Sequence, residues 1–165
     1  MTLHKLNSTA GARAGRRGPA LWTLLAAIAL SYAIIGVAPS KAADGITLEK
    51  PWMRFIIKAR PAGGYFTLHN NTSKPVELTG ASSSACGMVM LHQTKSVNGI
   101  EKMLPVKSVA VPAHGTLKFQ PGSYHLMCMK PKDTMVVGHT VPVTLTFAGG
   151  RSITGQFPVK GVGGQ

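Results

Sequence analysis

The sequence predicts an all-β fold, a sandwich or small barrel, for the chain beyond residue 43. Three observations carry this reading. No stretch after Asp44 shows sustained helical periodicity, and short β-rich runs alternate with turn signals instead. Gly 19 and Pro 11 in 165 residues supply many turns, which favours short strands over long helices. With 44% apolar and 14% charged residues the chain is too apolar and too weakly charged to be disordered.

The first element is a leader. Residues 1–19 hold Lys5, Arg13, Arg16 and Arg17 and no acid, and residues 20–37 are almost wholly apolar. Ser40 and Ala42 then place small residues where a signal peptidase needs them, an order that predicts a secretory signal peptide over residues 1–42 and a mature chain from Ala43. The alternative is an uncleaved anchor, because such a run can just span a bilayer. Arg16-Arg17 raises the twin-arginine route, but Gly18-Pro19 follows where that signal usually has a bulky apolar residue. No cysteine stands at the cleavage site, which argues against lipid attachment there.

Strands follow. Residues 64–69 alternate, with Phe66 and Leu68 on one face, and end in the polar turn from Asn70 to Pro75; residues 75–81 make the next strand. Residues 88–97 meet 100–106 across Asn98-Gly99, the strongest short hairpin signal. Residues 108–111 and 115–119 flank Pro112-Ala113-His114, and the turn from Gln120 to Ser123 leads into 124–129. Residues 140–148 and 151–159 form a second hairpin about Gly149-Gly150. Eight or so strands at this spacing imply a sandwich or barrel over residues 43–160, with 161–165 as a frayed tail.

Charge narrows the function classes. Lys+Arg 18 against Asp+Glu 5 gives +13, a balance compatible with nucleic-acid binding. The leader holds five of the basic residues and none of the acids, so the mature 123 residues carry +8. Outside the cytoplasm the partners of such a surface are anionic lipid headgroups or an acidic protein face, not nucleic acid.

The chemistry gathers between residues 88 and 129, which hold five of the seven mature methionines together with His92 and His125. A two-residue turn at Asn98-Gly99 sets Val97 against Ile100 and therefore Met103 against Thr94. His92 is two residues further along that face, a diagonal neighbour of Met103. His125 and Met127 share a face of their own strand as i and i+2. Two His/Met pairs are thus preassembled locally, and only the tertiary fold can bring them together. Thioether sulfur is soft and neutral and selects Cu(I), with imidazole a compatible partner. Zinc would favour thiolates or carboxylates. Thiols are lost to disulfides in an oxidising compartment, whereas thioethers survive there.

The spacing His92, ten residues, Met103, twenty-one residues, His125-x-Met127 resembles the signature of periplasmic copper chaperones of the PCuAC family. Supporting matches are Lys50-Pro51-Trp52, Gly63-Gly64-Tyr65-Phe66, Gly80-Ala81-Ser82-Ser83 and the run from Pro121 to Met127. The resemblance implies a cupredoxin-like Greek-key β-sandwich in the periplasm with His92, Met103, His125 and Met127 as ligands. It implies no enzyme but a monomeric Cu(I) carrier that helps load the copper centres of cytochrome c oxidase, often beside Sco-type thioredoxin-fold proteins. Cys86, Cys128, Met88, Met90 and Met129 depart from the usual pattern. Met90 shares a face with His92, and Met129 with Met127; the family signature favours the other four positions. Met129 also precedes Lys130-Pro131, where the strand is expected to end and turn its side chain away.

For the cysteines a disulfide, buried free thiols and metal ligation all remain open, with free thiols ranked first. His69, on the face opposite Phe66 and Leu68, and His114 and His139, in turns, read as surface residues. The rivals are a blue-copper electron carrier, which needs a cysteine thiolate, an enzyme, for which five acids and no nucleophile constellation leave little, and a secreted adhesion module.

Overall fold

The computed structural model describes residues 45–164, which form ten strands. The leader expected over residues 1–42 lies outside them. The strands are β1 (Ile46–Arg54), β2 (Ala62–Asn70), β3 (Val76–Ser82), β4 (Cys86–Val97), β5 (Ile100–Pro105), β6 (Val109–Val111), β7 (Thr116–Phe119), β8 (Tyr124–Pro131), β9 (Thr140–Phe147) and β10 (Ser152–Lys160). One layer runs β5-β4-β8-β7-β2-β1 and the other β10-β9-β3-β6, with β8 also paired to β2. A short parallel pairing, Met53 with Val159 and Arg54 with Lys160, joins the layers at one edge.

Alternation fills the space between the layers. Leu68, Leu91, Leu126 and Phe119 of the first layer and Leu78, Val143, Leu145 and Phe157 of the second are all buried in one core. Phe66 meets Phe157 edge-on across it, with ring centroids 5.9 Å apart.

β1 is the strand the sequence pattern did not declare. Lys50 has φ 49° and the pairing with β2 shifts between Glu49 and Trp52, a bulge about Pro51. The bulge exchanges faces: Ile46 and Leu48 pack on the core before it, Met53 after it. Trp52 then stands against Tyr65 on the outer face, with ring centroids 4.7 Å apart.

Both hairpins form where expected. Asn98 and Gly99 have φ 54° and 77°, as a type I′ turn requires, and Val97 pairs with Ile100. Ser152 pairs with Thr146 across the turn Ala148–Gly150. β8 continues through Lys130 to Pro131, two residues past its expected end.

Cys86 and Cys128 are joined in a disulfide, Cα atoms 5.5 Å apart, which replaces the free-thiol reading. Simple alternation puts Cys86 on the face of Met88, away from the core. The ladder between β4 and β8, however, omits the Gly87–Lys130 rung, where Lys130 has φ 49°. The backbone turns there, and Cys86 is buried in the core with Cys128.

Candidate metal centre

Three adjacent strands, β5 at the edge and then β4 and β8, carry the predicted residues to one face. β4 pairs with β8 so that His92 lies directly opposite His125 and Met90 opposite Met127. β4 pairs with β5 so that Thr94 lies opposite Met103, the register expected from the turn. Leu91, Leu126 and Cys128 occupy the other face and the core. All four predicted residues are therefore outward of the core on one face. The His92–His125 rung, which no local pattern specifies, comes from the non-local pairing of β4 with β8.

The four are not equally enclosed. His92 and His125 are buried, at 8% and 6% exposure, with ring centroids 5.8 Å apart. Met127 is half-buried, whereas Met103 on edge strand β5 is 62% exposed. A cleft of about 530 Å³ is lined by Met103, His125 and Met127 together with Arg54, Arg60 and Tyr65. His92 does not line it.

The two imidazoles differ in their hydrogen bonds. His125 Nδ1–H donates to the Ser123 carbonyl at 3.0 Å, which leaves Nε2 with the lone pair. Both ring nitrogens of His92 are sealed from solvent and have no hydrogen-bond partner. Among the described residues no other buried side-chain nitrogen or oxygen is left without a partner. Buried Asn70 donates through Nδ2 to the carbonyls of Lys74 (2.8 Å) and Pro112 (2.9 Å), and its Oδ1 accepts from Thr72 N–H (3.0 Å) and Oγ1–H (2.7 Å). An orphaned buried imidazole costs about 1–3 kcal/mol unless something else engages it. Burial, and secondarily the charge of His125, hold its pKa below the ordinary histidine range, so the ring is neutral with a free lone pair at neutral pH.

The donor set decides what could bind. Among the described residues no group of three or more His, Cys, Asp and Glu side chains is placed to hold a metal ion. Any ion bound on this face would have to take thioether sulfur with imidazole, a combination suited to soft monovalent ions.

One wall of the cleft was not foreseen. Gly63 faces Met127 across β2 and β8, and a Cβ on Gly63 would come within 2.7 Å of the Tyr65 hydroxyl. The glycine thus lets Tyr65 lean over it towards the site. The Arg54 guanidinium lies 5.5 Å from the Tyr65 ring centroid and the Lys160 ammonium 5.8 Å from that of Trp52. Burial raises the Tyr65 phenol above its usual range, against the influence of Arg54.

The other histidines among the described residues lie elsewhere. His69 is held at the surface, Nε2–H donating to Glu49 at 2.8 Å while Nδ1 accepts from the Thr116 hydroxyl at 3.1 Å. His114 and His139 are exposed.

Residues 46–159 match the family described as "Putative lipoprotein LpqE-like". The "Putative lipoprotein Lxx21020" of Leifsonia xyli subsp. xyli (strain CTCB07) is 35% identical over 130 residues, 76% of this chain and 76% of that protein. The copper-bound PCuAC domain from PmoF2 superposes with a TM-score of 0.61 at 21% identity, over 74% of this chain and 97% of the domain. The Cu(I) form of DR1885 from Deinococcus radiodurans superposes with a TM-score of 0.50 at 32% identity, over 70% of this chain and 75% of its own. These likenesses show the cupredoxin-like β fold expected from the sequence.

Proposed function

This chain belongs to the LpqE-like lipoprotein family, and on that premise we propose that it is an exported carrier of Cu(I). Its cargo would be held by His92, Met103, His125 and Met127. The observation that carries the reading is the His92 imidazole, buried and without a partner beside His125. A bound soft ion would supply the missing interaction. The PCuAC domain of PmoF2 and DR1885 are described with copper and with Cu(I), which supports the same cargo here.

The arrangement suits carriage rather than catalysis. Two imidazoles are fixed, one by burial and one by the Ser123 carbonyl, while Met103 on the edge strand is free to swing. Such a ligand can let go first when an acceptor approaches. Arg54 and Arg60 on the cleft wall offer a rim that an acidic acceptor face would complement. The acceptor we propose is a copper centre of cytochrome c oxidase, reached directly or beside a Sco-type protein, in the periplasm. The blue-copper alternative loses its thiolate, because both cysteines of the sequence are bonded to each other. For the same reason neither cysteine is free to carry a lipid.

The test is anaerobic Cu(I) competition on the mature chain. Met→Leu keeps volume while removing sulfur. Met103→Leu and Met127→Leu are expected to weaken tight Cu(I) binding at least tenfold, about 1.4 kcal/mol each, with no intense visible absorption in the loaded protein. Unchanged affinity in both variants, or a strong blue band, would overturn the reading.

A further inference from the structure

Beyond the four residues above, the outer face of β4 and β8 carries a second group of soft donors. The His92–His125 rung is followed by Met90 opposite Met127 and then Met88 opposite Met129. Directly opposed residues have Cβ atoms about 4.5–5.5 Å apart, and successive rungs on one face are about 6.7 Å apart. Four thioethers therefore form a two-by-two block, of which the proposed primary site uses only Met127.

Packing does not account for the other three. The core is served from the opposite face by Leu91, Leu126 and Cys128. Met88 is 55% exposed, and Met90 and Met129 are half-buried. An exposed methionine gains little from burial and is open to sulfoxidation in an oxidising compartment. The block also has a defined end. Past Met88 and Met129 the strand turns at Lys130, φ 49°, and the following pair, Cys86 with Pro131, is drawn into the core with the disulfide instead of continuing this face.

We propose that Met88, Met90 and Met129 form a second Cu(I) site, separate from the His92, Met103, His125 and Met127 set. The inference takes its choice of cargo from the proposed function, but its donors are distinct. Three neutral thioethers suit Cu(I) and exclude harder divalent ions. Lacking imidazole, this site binds more weakly and fills second. Long flexible methionine side chains can close on an ion from opposed strands.

The experiment titrates the mature chain anaerobically with Cu(I), watching methionine methyl groups labelled with ¹³C by NMR, with a weak chromophoric Cu(I) chelator measuring stoichiometry. The first equivalent is expected to shift Met103 and Met127 and the second to shift Met88, Met90 and Met129. The Met88→Leu/Met129→Leu double variant should lose the second equivalent, weakening it at least tenfold, and keep the first. Saturation at one equivalent with Met88 and Met129 unmoved overturns the second site. Movement of Met88 and Met129 together with Met103 in the first equivalent also overturns it, in favour of one shared donor set. If Met88, Met90 and Met129 respond while Met103 and Met127 do not, the second site stands and the primary assignment fails.

Discussion

Replacing His92 by leucine is expected to make the metal-free protein more stable and the copper-loaded protein less so. In the metal-free fold a neutral imidazole must keep one N–H, and both His92 nitrogens are sealed without a partner. Leaving such a group unsatisfied costs about 1–3 kcal/mol. Leucine is of similar volume and has no polar atom; exchanging a flat ring for a branched chain beside His125 returns less than about 1.5 kcal/mol of that gain. The net expectation is stabilisation of about 1 kcal/mol, read as a higher urea midpoint at unchanged slope. Ligand linkage reverses the order. At free Cu(I) a thousandfold above its Kd the parent gains about 4.1 kcal/mol, whereas a variant binding a hundredfold more weakly gains only about 1.4 kcal/mol. The two unfolding curves should therefore exchange places on adding Cu(I). A metal-free variant less stable by 1 kcal/mol or more would mean that the ring is satisfied or serves packing. An unchanged Cu(I) gain in the variant would mean that it is not a ligand.

Three further outcomes are expected. Replacing both Cys86 and Cys128 by alanine should lower stability by about 2–4 kcal/mol in urea unfolding, since the bridge closes a loop of 42 residues in the unfolded chain; thiol titration of the denatured parent should find no free thiol before reductant and two after. The Glu49 carboxylate is held below its usual range first by the hydrogen bond with His69 and then by Lys50 at 3.0 Å. Its contribution is present above the ordinary carboxylate range and lost as pH falls through that range and below, so Glu49→Gln should lower stability slightly at neutral pH, flatten the acid limb and let the two stability–pH curves converge in acid. Mass spectrometry of the exported protein should find an N-terminus near Ala43; a membrane-bound species retaining residues 21–37 would identify an anchor instead.

Local chemistry made much of this site legible in the sequence. Asn98-Gly99 sets one turn geometry, that turn sets the register of β4 and β5, and the register puts Met103 opposite Thr94. His125 and Met127 share a face because strands alternate. The His92–His125 rung could not be read in the same way, because it depends on which distant strand β4 chooses. β1 was hidden for a local reason: Lys50 and Pro51 break the period of two, so Ile46 and Met53 never appear as one apolar face. The disulfide was hidden similarly, as strand parity sends Cys86 outward and only the turn of the backbone at Lys130 brings it back.

The type I′ turn also determines how this chain tolerates change in length. Met103 reaches the outer face because the number of residues between it and His92 fixes which way it points. Inserting or deleting a single residue at the Asn98-Gly99 tip would slip β5 by one position and reverse every side chain on it. Lys102 or Leu104 would then occupy the place of the thioether, with the fold otherwise intact. Stability selection would barely notice such a change, because the β5 residues are exposed on both faces. On the proposed ligand assignment, the ten-residue interval would be a constraint set by copper binding on a hairpin that folding alone would leave free to vary.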